Sequence, residues 1–357
     1  MNEVRIAIVG MGIGRANAGG YIRHPRARVA ALCDVLEVRM EEAAQALGLD
    51  DDVKRYTSYE EMSRDPEIDA VFVGVPNQFH VPVALEAVRN GKHIMVTKPL
   101  ADSVTAARQL VEAAEAAGVV NMMSLSTRFA PDVQYLGRMN QRGELGEVYY
   151  AKASSIRRIG IPGWSLGFIQ KGGGAFRDMG VHVLDSVWWL MGMPKPVSVS
   201  GVAGAKFGPR GQGFWHIYPP AKSVDELAKL YDSDDYGGGF IRFENGAGLQ
   251  VESFWASHQP EGLQIELFGT EAGAKLRPLT VYKTVDSAQQ DVTIDLRDAG
   301  NRPIERNVAW DNLADHFVQC ILDGVPCAAP LRHGLIVQEM MEALLESGQT
   351  GTEVRLA

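Results

Sequence analysis

The chain has little of what marks a membrane-spanning, secreted or nucleic-acid-binding protein. No apolar run approaches the roughly 20 residues needed to cross a bilayer. Acidic residues outnumber basic ones by 44 to 35, and the net charge of −9 argues against nucleic acid or an anionic membrane as the main partner. The first residues lack the basic-then-apolar order of a signal peptide. We therefore expect a cytoplasmic protein.

Cysteine is also scarce. The chain has three, Cys33, Cys320 and Cys327, which are too few for a disulfide framework. The two that lie close together in the sequence lack the spacing of a metal-binding motif. We therefore expect buried free thiols, and no residue pattern calls for a metal ion.

The composition, 46% hydrophobic and 22% charged, is typical of a globular protein. The length of 357 residues suits two domains. The first third alternates short apolar strands with amphipathic helices and predicts an α/β fold, a doubly wound parallel sheet of the Rossmann type. From Val148 onward strands dominate and predict an α+β domain with an open, mostly antiparallel sheet. We expect domains at residues 1–126 and 127–357, with terminal helices able to pack back on the first.

A glycine-rich turn, Gly10-Met11-Gly12-Ile13-Gly14-Arg15, lies between the first predicted strand and helix. Such a turn lets backbone N–H groups reach a pyrophosphate, although an ordinary glycine turn is the alternative. Arg15 occupies the third glycine position of the usual motif, so we expect Gly14 to take its packing role. The predicted cofactor contacts in this turn are Gly10, Gly12, Ile13 and Gly14.

The second predicted strand ends at Asp34, about where an acidic residue would bind the adenosine ribose hydroxyls. A carboxylate there repels a ribose phosphate, which favours NAD over NADP. Arg39 weakens that preference slightly, and both Asp34 and Arg39 are predicted cofactor contacts. Together with the glycine turn, Asp34 predicts a dinucleotide site.

Two further loops follow predicted strands, at the edge where open α/β sheets bind ligands. The first is Val75-Pro76-Asn77-Gln78-Phe79-His80, in which Asn77 could instead simply cap a helix. The second contains Lys98, and a lysine at a strand end is ordinarily just solvated. The predicted cofactor contacts in these loops are Pro76, Asn77, His80 and Lys98.

A segment later in the chain, Gly172 to Asp185, begins with three glycines and turns apolar and helical. Asp178 and His182 are four residues apart and Asp185 follows three later, which predicts that all three lie on one helix face. A histidine near the electropositive helix start favours the neutral form, which accepts a proton. The segment is therefore either a general base with an orienting carboxylate or a buried polar contact.

These motifs, in this order, resemble the Gfo/Idh/MocA oxidoreductases, which include glucose–fructose oxidoreductase and inositol dehydrogenases. The resemblance covers essentially the whole chain and also rests on Gly91-Lys92-His93, Lys98-Pro99, Arg128-Phe129 and Gly143–Glu147. It implies a Rossmann domain that holds NAD(P) tightly and a C-terminal open-faced sheet that forms a homodimer or homotetramer. The family usually has Glu before the Lys-Pro pair, where this chain has Thr97.

The resemblance also implies a catalytic trio, which falls on Lys98, Asp178 and His182. The segment Arg157–Trp164 looks closest to a subgroup of glucoside 3-dehydrogenases, so the implied substrate is a carbohydrate or cyclic polyol. Arg157 and Trp164 could equally be a surface arginine and a core tryptophan. The implied substrate contacts are Lys98, Arg128, Arg157, Trp164, Asp178 and His182.

Three functions fit these residues. The first is a reversible NAD-dependent sugar or polyol dehydrogenase, in which His182 takes the hydroxyl proton and Lys98 stabilises the alkoxide. Asp178 would orient His182 or bind a neighbouring hydroxyl. The second is a glycosidase that uses NAD for transient oxidation and elimination. The third is a redox-sensing protein without catalysis.

Overall fold

The computed structural model describes residues 2–305 and 308–356. The chain divides into two compact units, one made of Met1–Phe129 and Asn307–Ile336, the other of Ala130–Arg306 and Val337–Ala357. The C-terminal helices are thus divided between the units. In the described ranges, no helix is both long and apolar enough to cross a membrane.

The first unit contains a parallel sheet flanked by helices. Its strands are β1 (Val4–Val9), β2 (Ala27–Cys33), β3 (Lys54–Tyr56), β4 (Ala70–Val73), β5 (His93–Val96) and β6 (Asn121–Met123). The six strands lie in the order β3-β2-β1-β4-β5-β6, and every adjacent pair is parallel. The predicted Rossmann-type sheet is confirmed. Its order reverses beside β1, and a ligand site is expected at the carboxyl ends there.

The helices of the first unit connect these strands. They are α1 (Ile13–Arg23), α2 (Glu37–Leu47), α3 (Tyr59–Arg64), α4 (His80–Arg89), α5 (Val104–Ala116) and α10 (Val308–Asp323), and α11 (Leu331–Thr350) begins here. Helix α10 packs on α1 so closely that a Cβ on Gly20 would lie 2.8 Å from the Ala314 Cβ. The sequence does not predict β3 or α3, because the three residues of β3 are polar and partly exposed.

The second unit is built on a larger sheet. Its strands are β7 (Val148–Ile156), β9 (Pro196–Gly204), β11 (Tyr236–Phe243), β12 (Gly248–Phe254), β13 (Gly262–Gly269), β14 (Gly273–Lys275), β15 (Thr280–Val285), β16 (Ala288–Thr293) and β17 (Val354–Arg355). These nine strands lie in the order β16-β15-β14-β13-β7-β12-β11-β9-β17. Pairing is antiparallel except between β7 and β12. The predicted open, mostly antiparallel sheet is confirmed.

Short elements connect the larger ones in this unit. They are α6 (Pro131–Gln141), β8 (Ile161–Pro162), α7 (Leu166–Ile169), a π-helical turn (Phe176–Gly180), α8 (Val181–Leu190), β10 (Phe214–Trp215) and α9 (Val224–Lys229). A small apolar core lies beneath the π-turn and includes Ile161, Ile169, Ala175, Met179 and Trp255. Because this core fixes Ala175 and Met179, it also fixes where the residues between them point.

Candidate active site

Close backbone packing shapes the glycine turn after β1. Gly10 has a φ of +87°, and a Cβ there would lie 2.5 Å from the Gly74 carbonyl oxygen. A Cβ on Gly14 would lie 2.9 Å from Ile8 Cγ2. Glycine is therefore required at both positions, the first for a left-handed turn and the second for close packing of α1 on β1.

Gly12 and Ile13 face open space instead. No atom lies within 4 Å of the position that a Cβ on Gly12 would take, and α1 begins at Ile13 without a side-chain cap. The first N–H groups of a helix have no partner inside the helix, and together they attract an anion. This part of the turn fits the pyrophosphate of a dinucleotide.

Asp34 is buried at the end of β2 and is bound by backbone on both sides. Its Oδ2 accepts a hydrogen bond of 3.0 Å from Met11 N–H, and its Oδ1 accepts one of 3.1 Å from Leu36 N–H. Each carboxylate oxygen has a second lone pair, so contact with ribose hydroxyls stays possible. Through its bond to Met11, Asp34 also helps to fix the backbone of the glycine turn. Arg39 is exposed on α2.

His80 lies inside the protein. Its side chain is fully buried, with Nδ1 at 2.8 Å from the Pro99 carbonyl oxygen and Nε2 at 2.8 Å from that of Val75. Burial lowers the pKa of this imidazole. Both ring nitrogens face backbone carbonyl oxygens, and the predicted cofactor contact of His80 stays a prediction. His80 joins the loop after β4 to the loop after β5.

Those two loops carry the other predicted residues of the first unit. Pro76 is exposed and Asn77 is half-buried at the start of a short 3₁₀ turn, Asn77–Phe79. Lys98 is half-buried after β5. Because β1, β4 and β5 are parallel neighbours, the glycine turn and both loops lie at one edge of the sheet.

Arg128 also lies inside the protein. It is fully buried, and its Nη1 lies 2.5 Å from the Ala328 carbonyl oxygen and 3.1 Å from His333 Nδ1. Burial, together with the Arg128 charge, lowers the pKa of His333 to about 4. The neutral ring therefore accepts from the guanidinium. Arg128 holds the chain before α11 in place, and its burial argues against the predicted substrate contact.

In the second unit, the glycine-rich segment is built around Asp234. Gly174 has a φ of +113°, and a Cβ there would lie 2.0 Å from Asp234 Oδ1. Asp234 Oδ2 accepts a hydrogen bond of 2.9 Å from Phe176 N–H. Burial raises the pKa of this carboxyl to about 6. The glycine is therefore needed because a carboxylate occupies the space beside it.

The helix that follows differs from the predicted one in its first turn. Residues Phe176–Gly180 form a π-turn, which continues into α8. A π-turn is wider than an α-turn and is frequent at functional sites. A Cβ on Gly180 would lie 2.8 Å from the Phe176 ring, so glycine allows the turn to close. The prediction of three carboxylate and imidazole groups on one ordinary helix face is therefore wrong at its N-terminal end.

The three polar residues of this helix have different surroundings. Asp178 and His182 are half-buried, whereas Asp185 is 1% exposed. Asp178 Oδ2 accepts a hydrogen bond of 3.0 Å from the indole Nε1 of Trp255, itself fully buried. Asp178 and His182 therefore remain candidates for contact with a substrate, while Asp185 belongs to the interior.

Aromatic side chains lie next to this segment. The Trp164 ring contacts Trp215 at 6.1 Å, Tyr218 at 5.3 Å and Phe168 at 6.0 Å, measured between centroids. The Arg157 guanidinium lies 4.7 Å from the Trp215 ring. We call Arg157, Trp164, Phe168, Trp215 and Tyr218 the aromatic cluster.

The aromatic cluster is connected to Asp178 through packed rings. Phe168 lies 6.5 Å from Trp255, which holds Asp178. Trp255 and Phe168 carry no sequence signal of a site, because each is an apolar residue among apolar neighbours. Only their positions in the fold give them a role.

Comparison with known families agrees with both units. Residues 4–125 match the "Oxidoreductase family, NAD-binding Rossmann fold", and residues 133–275 match the "GFO/IDH/MocA C-terminal domain". The chain belongs to the Gfo/Idh/MocA family of oxidoreductases. The resemblance seen in the sequence is confirmed, as are the NAD cofactor and the assignment as an oxidoreductase.

Curated members of the Gfo/Idh/MocA family align over most of this chain. D-glucoside 3-dehydrogenase of Escherichia coli (strain K12) is 29% identical over 99% of the chain and 98% of that protein. An NAD(+)-dependent scyllo-inositol 2-dehydrogenase of Bacillus subtilis (strain 168) is 28% identical over 90% and 87%. Among solved structures, a levoglucosan dehydrogenase with NADH and L-sorbose aligns with a TM-score of 0.86 at 22% identity, over 100% of both chains. The last similarity establishes the fold.

Proposed function

We propose that this oxidoreductase transfers a hydride between NAD and a secondary hydroxyl of a sugar, glycoside or cyclic polyol. The observation that carries the proposal is the arrangement of the second unit. There, Asp178 is held by Trp255, which packs through Phe168 on the aromatic cluster. Sites for small polar ligands combine apolar or aromatic walls with a few fixed polar groups.

We assign His182 as the general base. In the oxidative direction its imidazole takes the hydroxyl proton while the C–H hydrogen leaves as hydride. Asp178 either orients this imidazole or binds a neighbouring hydroxyl. Its hydrogen bond from Trp255 restricts the carboxylate to one position, which serves either role.

Lys98 completes the proposed trio from the first unit. As an ammonium it would stabilise the negative charge that develops on the substrate oxygen. NAD, when bound, supplies the hydride acceptor, and the residues that we expect to hold it are Gly10, Gly12, Ile13, Gly14, Asp34, Pro76 and Asn77. The open N-terminus of α1 supports this assignment.

We propose that NAD is preferred over NADP. The buried Asp34 carboxylate lies where a ribose phosphate would bring further negative charge. Arg39 is the one opposing feature that we identify, and it is exposed.

The substrate class follows from the relatives and the aromatic cluster. We propose glucosides as the first substrates to test, because a D-glucoside 3-dehydrogenase aligns over nearly the whole chain. Arg157 and Trp164 are the proposed substrate contacts within the cluster. The test is to incubate the purified protein with NAD and, separately, glucosides, free hexoses and inositols, and to follow NADH by absorbance.

The outcomes of this screen separate the alternative functions. If the wild type forms NADH with one class of sugar or polyol and the His182→Ala variant does not, the result supports the dehydrogenase. Cleavage of a glycoside without net NADH would indicate a glycosidase that uses NAD transiently. NAD binding without turnover of any of these compounds, in either direction, would indicate a redox-sensing protein.

We also propose that the second unit forms a homodimer or homotetramer through its sheet. One face of β9, β11 and β12 carries exposed apolar side chains around Glu252: Val202 is 63% exposed, and Tyr236 stacks on Phe254. Residues on the opposite face of the sheet pack against α11, since a Cβ on Gly201 would lie 2.9 Å from Leu344 Cγ. Sedimentation of the wild-type protein and of Val202→Glu tests this, because a charge on the face would dissociate the oligomer.

The cytoplasmic location, and the absence of nucleic acid and membrane partners, stand as proposals as well. The net charge of −9 supports the absence of nucleic acid and anionic-membrane partners, and the scarcity of cysteine is typical of a reducing compartment such as the cytoplasm.

A further inference from the structure

Three side chains outside the proposed active site come together in the first unit. His316 and Cys320 lie one turn apart on α10, and Cys327 lies in the loop between α10 and α11. One ring nitrogen of His316 and the two sulfur atoms all lie within 4.8 Å of one another. The loop returns to the helix through Gly324, which has a φ of +69°.

The two thiols are not equivalent. Cys320 is buried, whereas Cys327 is half-buried and so within reach of a small reagent. A hydrogen bond from the Cys320 thiol lowers the pKa of Cys327, with a smaller contribution from His316. The same interaction raises the pKa of Cys320. One accessible thiolate beside one protected thiol is the arrangement of a nucleophile and a resolving partner.

A metal ion fits the same three residues less well. His316 Nε2 accepts a hydrogen bond of 2.8 Å from Ala328 N–H, so its lone pair is already engaged. In the described part of the chain, no fourth histidine, cysteine or carboxylate joins the group. A structural zinc site uses four such ligands. A disulfide, by contrast, needs only the two sulfur atoms as partners, and these lie within 4.8 Å of each other.

We propose that Cys320 and Cys327 are a reversible dithiol–disulfide site. The Cys327 thiolate attacks one sulfur of a small disulfide, such as oxidised glutathione, and displaces one glutathione thiolate. The Cys320 sulfur then attacks Cys327 and displaces the second glutathione, and the proton of Cys320 passes to the leaving thiolate. Two electrons leave the protein thiols, one disulfide bond breaks and another forms.

Oxidation at this site would connect two parts of the first unit that now meet without a covalent bond. The loop that carries Cys327 is already bonded to the sheet, because Ala329 O accepts from Met123 N–H at 2.9 Å. The adjacent Ala328 O accepts from Arg128. A bond to Cys320 would fasten α10 to this loop and constrain the unfolded chain.

The test uses the full-length protein, reduced, freed from reductant and then mixed with oxidised glutathione. Peptide mass spectrometry identifies the products, and melting is measured before and after. The wild type is expected to form the Cys320–Cys327 bridge, with a melting temperature higher by about 2–4 °C that dithiothreitol reverses. Cys320→Ser should instead accumulate glutathione on Cys327, and Cys327→Ser should form no bridge.

Cys33 provides the matched control. It is buried, and burial raises its pKa to about 12, so Cys33→Ser should react like the wild type. The proposal is overturned if the wild type forms no bridge, or if it retains the mixed disulfide as Cys320→Ser does. Stoichiometric zinc in protein purified without chelator, lost in His316→Ala, would also overturn it in favour of a metal site. The assay does not depend on dehydrogenase activity.

Discussion

The indole nitrogen of Trp255 donates a 3.0 Å hydrogen bond to a carboxylate oxygen of Asp178. Trp255 is fully buried in the small apolar core, while Asp178 is half-buried on the π-turn before α8. The bond therefore carries the rigidity of the core to a residue proposed to face the substrate. Asp178 and Trp255 lie 77 residues apart in the sequence, and the fold alone brings them together.

We expect Trp255→Phe to lower kcat about tenfold, because a hydrogen bond to a charged group contributes roughly 1.5–3 kcal/mol. The KM for NAD should stay the same, since Trp255 belongs to the second unit. Trp188→Phe is the matched control: Trp188 is equally buried and donates to the Pro194 carbonyl at 2.9 Å. Equal losses of kcat in both variants would mean that the effect is general destabilisation.

His182→Ala should lower turnover by a factor on the order of 100 or more, because the hydroxyl proton loses its acceptor. NAD binding, measured by NADH fluorescence, should be unchanged. The exposed His258 supplies a control, and His258→Ala should keep wild-type turnover. Near wild-type turnover in His182→Ala would disprove the assignment of the base.

Asp34→Asn should shift the ratio of kcat/KM for NAD to kcat/KM for NADP roughly tenfold towards NADP, because a charge next to the ribose phosphate is removed. The asparagine can still accept one backbone hydrogen bond, so the glycine turn is largely retained. Using a ratio removes any loss of folded protein from the measurement. An unchanged ratio would show that Asp34 acts only on the turn.

The half-buried Asp234 makes stability depend on pH. Burial raises its pKa to about 6 from the ordinary 3.8, so between these values the folded state binds more protons than the unfolded state. This group therefore favours folding below about pH 4, and that contribution is lost as the pH rises through about 6. The size is on the order of 3 kcal/mol.

Asp234→Asn should remove this part of the pH dependence, which urea unfolding at pH 4, 6 and 8 can measure. The free energy of unfolding of the variant minus that of the wild type should therefore increase as the pH rises from 4 to 8. Asp232→Asn is the control, because Asp232 is exposed two residues away. Parallel pH profiles for wild type and Asp234→Asn would contradict the prediction.

Much of the architecture can be predicted from the sequence because it rests on local patterns. Strand β4 is a continuous apolar run, and β1 is apolar apart from Arg5. The glycine turn needs Gly10 and Gly14 for its backbone geometry. Membership of the family can also be predicted from the sequence, because the family's motifs are short segments that follow one another in a fixed order. Strand β3 escapes such reasoning because it is polar and is defined only by its pairing with β2.

The chemical surroundings of single residues are a different matter. His80 and Arg128 carry groups typical of binding sites, yet both are enclosed and bonded to backbone carbonyls. The sequence spacing of Cys320 and Cys327 likewise gives no sign of their proximity. Some of these contacts join distant residues, such as Arg128 with Ala328, and others depend on how a loop folds back, as at Cys327; no local pattern encodes them.

The sequence by itself therefore determined the Rossmann-type sheet, the open antiparallel sheet, the NAD cofactor and the residues to consider. Tertiary structure alone decided which of those residues are buried, that the helix of Asp178 starts with a π-turn, and that Trp255 holds its carboxylate. The physical reason is that periodicity and turn chemistry act over a few residues. Burial and side-chain hydrogen bonds depend on segments that meet only when the chain is folded.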